Sequence, residues 1–427
     1  MPSRTTIAAL CAAAAFQLPL LLAPSAATDA DQQNFPQIER GRYLVKLGDC
    51  SACHTDPDGG KPFAGGRPIE TPFGTIVSAN ITPDAETGIG NWSSDQFDKA
   101  VRHGVRADGK RLYPAMPYTA YTKMSRADVE AIRAYLSTIP PVHNPVQSNR
   151  LPFPLNIRLG MTVWNALFFN DGEFKPDPHQ SAEWNRGAFL VNGPGHCGAC
   201  HTPKNVLGGD KTAQALQGSV VQGWFAPNIT GDPTLGLGKW STDDIAQLLR
   251  TGHSKQTGVT GPMAEEVEDA SAHFTNNDLV AIATYLKSVG GSAVDPPPLP
   301  ADDPRMQAGK AIYRDSCSAC HGLDGRGVPN LFPALADAAT VRATDPTSTI
   351  RVLLRGARSA STKAEPTAPA MPSFSWQLDD KQAAAVLTYV RNSWGAAAPA
   401  VNPDQVSKAR SDLAKRDQAS PLSLTAR

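Results

Sequence analysis

Three stretches of the chain carry the same apolar stripe. Val129, Ile132, Tyr135 and Leu136 recur at helical spacing, as do Leu279, Ile282, Tyr285 and Leu286, and then Ala385, Val386, Tyr389 and Val390. Each set lines one face of a predicted helix. Ser93 with Gln96, Ser125 with Asp128, Ser241 with Asp244 and Thr275 with Asp278 read as capping-box starts of helices. A single stripe needs a surface to pack on. Gly41–Arg42–Tyr43 and Gly187–Ala188–Phe189 mark a second helix in the first two stretches, with a glycine that lets two helices approach closely.

The landmarks around these helices repeat as a block. Asn80–Ile81–Thr82 matches Asn228–Ile229–Thr230, and Gly88–Ile89–Gly90–Asn91–Trp92–Ser93 matches Gly236–Leu237–Gly238–Lys239–Trp240–Ser241. The pattern defines unit one at 36–142 and unit two at 181–290; unit three, 305–396, keeps the ends of the pattern and lacks its middle. Between units two and three, 291–304 is proline-rich and reads as a semi-rigid spacer. The 143–180 linker is far more apolar than a spacer needs to be. It is expected to pack between units, the alternative being a docking patch for a partner or a membrane surface. The polar tail at 397–427 is expected to be poorly ordered.

Length and charge add limits. A chain of 427 residues accommodates about three domains. Forty basic and forty acidic residues cancel, so no global field favours nucleic acid or an anionic membrane, and no nucleic-acid partner is expected. Residues 1–27 read as a secretory signal: Arg4 in front, an apolar run from Ile7 to Leu22, and Ser25–Ala26–Ala27 as a cleavage site, so that the mature chain starts near Thr28. No later stretch has eighteen uninterrupted apolar residues, and the mature chain is not expected to span a membrane.

The chemistry lies just after the first helix of each unit. Cys50–Ser51–Ala52–Cys53–His54 recurs as Cys197–Gly198–Ala199–Cys200–His201 and as Cys317–Ser318–Ala319–Cys320–His321. This C-x-x-C-H spacing is the attachment signature of a c-type haem: two thiols bond the vinyl groups and the adjacent His ligates the iron. Zinc normally needs two such pairs close together, and a dithiol redox site needs neither the His nor three copies. The seven cysteines are these six and Cys11, which lies in the signal segment.

The sixth iron position separates an electron carrier from a haem that binds gases or peroxide. Met116 lies 62 residues after His54, Met263 lies 62 after His201, and Met371 lies 50 after His321, in the unit without the middle insert. Met116 and Met371 are each followed by proline; Met263 is not. These three are the candidate axial ligands, and Met124, Met161 and Met306 are core filler. His103 and His253 are read as polar residues near a haem edge, and His196 has no assigned role. Trp92, Trp240, Arg102 and Arg355 are candidates for propionate contacts, with packing or surface roles as alternatives.

With its three C-x-x-C-H motifs, Tyr113–Pro114–Ala115–Met116–Pro117–Tyr118, Gly193–Pro194–Gly195–His196–Cys197 and Ala370–Met371–Pro372, the mature chain resembles the tri-haem cytochrome c subunits of bacterial membrane-bound dehydrogenases acting on alcohols, gluconate, fructose or aldehydes. The resemblance implies a mainly α fold of three tandem class I cytochrome c-like domains, each with one covalently bound haem c. It also implies a large dehydrogenase subunit as partner, carrying pyrroloquinoline quinone, flavin or a molybdenum cofactor. The acceptor would be ubiquinone or another periplasmic electron acceptor, with peripheral attachment on the periplasmic face of the inner membrane. No substrate-oxidising site is expected on this chain. A multi-haem peroxidase and a free periplasmic shuttle are the competing functions. The tail beyond Trp394 falls outside the family pattern.

Overall fold

In the computed structural model of the chain, residues 27–291, 297–329, 331–336 and 338–419 are described. The signal segment and part of the proline-rich spacer lie outside them. The described fold is largely helical. Its first part holds α1 (Ala27–Leu47), α2 (Cys50–His54), the hairpin β1 (Pro68–Thr71) and β2 (Gly74–Val77), α3 (Ser94–His103), α4 (Tyr118–Tyr121), α5 (Arg126–Leu136) and α6 (Gly160–Phe168). Its middle holds α7 (Ala182–Asn192), α8 (Gly198–His201), the hairpin β3 (Ser219–Val221) and β4 (Trp224–Ala226), α9 (Thr242–Thr251), α10 (Pro262–Asp269) and α11 (Asn276–Ser288). Its last part holds α12 (Pro304–Ser316), α13 (Ser318–His321), α14 (Ala339–Arg342) and α15 (Thr347–Arg355). The short strands β5 (Ala357–Arg358) and β6 (Ala370–Met371), α16 (Asp380–Arg391) and α17 (Pro403–Ala419) complete it.

One packing relationship occurs three times: α1 against α5, α7 against α11, and α12 against α16. At each crossing a glycine meets backbone. A Cβ on Gly41 would fall 1.8 Å from the Ala131 carbonyl oxygen, one on Gly187 1.9 Å from that of Ala281, and one on Gly309 2.2 Å from that of Ala385. The tyrosine of each stripe, Tyr135, Tyr285 or Tyr389, presses its own Cβ over the same glycine. Any side chain there would push the helices apart.

The cores do not divide as cleanly as the repeats. Leu44, Val45 and Leu47 of α1 and Val129, Ile132 and Leu136 of α5 share one continuous core with Leu190 and Val191 of α7 and Ile282 and Leu286 of α11. A second core gathers Tyr313, Ile350, Leu353, Val386 and Val390. A small seam of Val259, Ala264, Val267 and Ala360 joins the middle of the chain to its last part.

The 143–180 segment fills a gap with one side and leaves the other bare. Asn165 accepts from the Tyr118 hydroxyl at 2.8 Å, and the Trp164 indole donates to the Leu207 carbonyl at 2.9 Å. Phe153, Leu159, Val163 and Leu167 remain 79, 76, 64 and 63 % exposed. No helix among the described residues is long and apolar enough to cross a membrane.

The tail departs from expectation. Residues 403–419 form α17, and Val401, Val406 and Leu413 are buried in the second core. The Arg410 guanidinium donates to the carbonyls of Ser375 and Leu378, both at 2.9 Å, and bonds Asp380 at 3.0 Å. The low hydropathy of this stretch masks a stripe, Val406, Ala409 and Leu413, at helical spacing.

Candidate haem sites

Each C-x-x-C-H motif folds as a single helical turn. Residues three apart on such a turn share a face, so each pair of thiols points the same way. The first cysteine of each pair, Cys50, Cys197 or Cys317, is half-buried against a core, while Cys53, Cys200 and Cys320 are exposed. All six are free thiols. Burial, the main cause, pushes Cys50 and Cys197 up to about 12 and Cys317 up to about 11. These three thiols are therefore protonated at neutral pH.

The three histidines share one hydrogen-bonding pattern. Nδ1 of His54 lies 2.7 Å from the Ala79 carbonyl, Nδ1 of His201 2.7 Å from that of Pro227, and Nδ1 of His321 3.1 Å from that of Pro333. A carbonyl only accepts, so each Nδ1 carries the proton and Nε2 keeps its lone pair. Burial lowers all three rings below the ordinary imidazole value and keeps them neutral. An imidazole fixed in one tautomer by a backbone carbonyl at its Nδ1 is the form an iron ligand needs.

The methionines sit in three different settings. Met116 lies in the turn before α4, where the Tyr118 N–H donates to its carbonyl at 2.8 Å, and it packs on the same core as Cys50. Met371 lies on β6 and packs on the same core as Cys317. Met263 is the second residue of α10 and packs on the Val259–Ala360 seam, whereas Cys197 packs on the shared core of the first two repeats. Leu248 touches both clusters. Paired thiols and a neutral imidazole with a free Nε2 suit the attachment and ligation of haem c.

The remaining candidates are engaged elsewhere. Arg102 pairs with Asp98 at 2.8 Å and Glu173 at 2.6 Å, and His103 Nδ1 lies 3.0 Å from Asp171. Trp240 is buried in the shared core, with Trp92 packed on it. His253 is buried, with Nε2 3.4 Å from the Ala360 carbonyl.

Several contributors are invisible to motif reading. The carbonyls of Ala79 and Pro227 each stand just before the repeated Asn–Ile–Thr, so aligning the units marks them, but Pro333 has no such landmark. His196 packs tilted against Tyr121, ring centroids 5.6 Å apart, and the Tyr121 hydroxyl donates to the Gly48 carbonyl at 2.6 Å, tying the run-in to the second motif to that of the first. Arg67 reaches from beside β1 to both α2 and α10.

Such a thiol and imidazole set on a helical frame defines a c-type cytochrome. Residues 306–394 match the family model described as cytochrome c, and residues 36–136 match that of subunit III of cbb3-type cytochrome c oxidase. The chain is 41 % identical over 408 residues to the gluconate 2-dehydrogenase cytochrome c subunit of Pantoea cypripedii, covering 91 % of this chain and 92 % of that one. It is 38 % identical to the cytochrome c subunit of the quinone alcohol dehydrogenase of Gluconacetobacter polyoxogenes, covering 93 % of this chain and 88 % of that one. It is 37 % identical to the fructose dehydrogenase cytochrome subunit of Gluconobacter japonicus, covering 88 and 83 %. The chain belongs to the family of dehydrogenase cytochrome c subunits.

Proposed function

We propose that this chain is a tri-haem electron relay that drains a periplasmic dehydrogenase. The sites are Cys50, Cys53, His54 and Met116; Cys197, Cys200, His201 and Met263; and Cys317, Cys320, His321 and Met371, within units 36–142, 181–290 and 305–396. The observation that carries this reading is the threefold repetition of an Nδ1–H bond to a backbone carbonyl in the His that follows each thiol pair. Bound haem supplies reversible one-electron chemistry, which lets a two-electron oxidation be emptied in single steps. The chain's own residues hold three such groups in one body, because the first two helix pairs share a core and the seam joins the third.

The relatives' names are those of dehydrogenase subunits for gluconate, alcohol and fructose, and one is a quinone enzyme. On that basis the donor is a large dehydrogenase subunit oxidising an alcohol, gluconate or a related sugar or aldehyde. The acceptor is ubiquinone or another periplasmic carrier, and the chain works on the periplasmic face of the inner membrane. The bare apolar face of 153–167 is the element that meets the membrane surface.

Haem analysis of the purified chain tests the count: three covalent haems are expected, and two would remove one unit from the relay. Carbon monoxide tests the alternative of a multi-haem peroxidase, since strong binding at one iron in the native chain would replace the closed-site reading. Purification with the large subunit still bound, and quinone reduction by the pair on substrate addition, distinguishes a dedicated subunit from a free shuttle.

A further inference from the structure

The second site lacks the device that frames the other two methionines. Met116 and Met371 are each followed by proline, which stiffens the chain where the thioether is presented. Met263 is instead followed by Ala264 and sits in an eight-residue helix, α10, which is held by other parts of the chain.

The helix is gripped by Arg67. Its Nη2 donates to Glu265 Oε2 at 2.7 Å, and its Nη1 donates to the Ala52 carbonyl, inside the first C-x-x-C-H turn, also at 2.7 Å. The Arg67 backbone is itself pinned, its N–H donating to Ser78 Oγ at 3.1 Å. One turn further on, Glu268 Oε1 accepts the Ser361 N–H at 2.6 Å, and Ala264 and Val267 pack on the apolar seam to Ala360. A planar guanidinium can serve a carboxylate and a carbonyl at once in a fixed geometry; an ammonium on a flexible stem cannot do so as well.

We propose that Arg67 is a positioning residue for the second site, tying the helix that carries Met263 to the attachment turn of the first site. The inference rests on the reading of Met263 as sixth ligand. It makes the closure of the second iron depend on a residue of the first repeat, 196 positions away from Met263 in the chain.

The test uses the full-length holoprotein, with haem content verified for every variant. Two signals are read: the far-red methionine-to-iron charge-transfer absorption of the ferric form, and carbon monoxide uptake by the ferrous form. Met263→Ala sets the reference and should remove about a third of the band, one thioether ligand of three. Arg67→Gln should move both signals toward that reference, raising the open population at one iron about tenfold, the scale of losing one charge-assisted hydrogen bond. Arg67→Lys should recover part of the loss. If Met263→Ala leaves the band intact, the ligand reading fails and the inference with it. If Met263→Ala removes it while Arg67→Gln matches the native protein, the ligand reading stands and the positioning role is overturned. Should Arg67→Gln not fold, Glu265→Gln breaks the same tie from the other end, and a native band in that variant overturns the inference.

Discussion

Tyr43 of α1 donates its hydroxyl to Asp278 Oδ2 at 2.6 Å, a bond between residues 235 positions apart that joins the first repeat to the last helix of the second. The same carboxylate takes both ends of the Arg186 guanidinium, at 2.7 and 2.8 Å, and the Tyr43 oxygen accepts the Thr275 N–H at 3.0 Å. Asp278 therefore serves the interface between repeats, while Thr275 alone caps α11. With Tyr43 added to the common core, the first two helix pairs form one body.

Replacing Tyr43 by Phe keeps the ring and removes the bond. A cost of about 1–2 kcal/mol is expected, since the acceptor is charged but keeps Arg186. The interface should also be acid-sensitive. Burial works to raise the Asp278 carboxyl, yet the hydrogen bonds from Arg186 and Tyr43 and the Arg186 charge hold it below its ordinary value. The unfolded chain thus binds this proton more readily than the folded one. The stabilisation is full above about pH 4, the ordinary Asp range, and fades as pH falls through the lower folded value. Melting temperatures across that range should show a shallower acid slope for Tyr43→Phe than for the native chain; equal slopes would remove Asp278 as the source.

Gly187→Ala tests the helix crossing. With the Ala281 carbonyl 1.9 Å from where the methyl would sit, α7 and α11 must separate, and a loss of about 3 kcal/mol is expected. Gly290→Ala is the control. Nothing lies within 4 Å of its added Cβ, and a change within about 0.5 kcal/mol is expected. Urea unfolding of the two variants measures the difference.

What the sequence made legible was local. The stripes at 129–136 and 279–286, the glycines at 41 and 187 and the three thiol–His motifs each declare themselves within a dozen residues, because period and spacing are properties of a short window. Contacts that close over long separations are silent there. Arg67 and Glu265 are 198 positions apart, and neither has a pattern that marks the other. The tail failed for a different reason: three apolar residues among many charges carry little hydropathy, and only the surface offered by α15 and α16 makes them a buried stripe. The sharing of one core by the first two repeats was hidden by their similarity, since repeats read as separate beads until the faces between them are seen.

The tail makes its own prediction. Val406 is fully buried, and Arg410 bonds the carbonyls of Ser375 and Leu378, in the connection that follows Met371. Val406→Asp would bury an unpaired charge and should cost about 4 kcal/mol. Deleting residues 403–427 should speed amide hydrogen exchange in 373–379 by tenfold or more, on the order of one lost buried bond or greater, while 129–136 stays protected. Uniform exchange across both segments would show that α17 does not brace the connection that follows Met371.

The exposed apolar face gives the sharpest test of where the chain works. Between Arg150 and Asn170 there are two arginines, Arg150 and Arg158, and no carboxylate. Phe153, Leu159, Val163 and Leu167 stand out from this segment, with Val206 and Leu207 also exposed beside it through the Trp164 bond. A surface that is apolar, free of acid and edged by arginine suits an anionic lipid headgroup layer. Leu159→Asp with Val163→Asp should leave the helix pairs intact, since both side chains point to solvent. The double variant should weaken binding to vesicles of mixed neutral and anionic lipid by at least about tenfold, the scale of withdrawing two partly buried aliphatic side chains and adding two like charges. Co-sedimentation with vesicles measures the loss, and melting temperature checks that the fold survives. If the double variant still binds vesicles as the native chain does but no longer co-purifies with a large dehydrogenase subunit, this face belongs to the protein partner and the membrane must be met elsewhere.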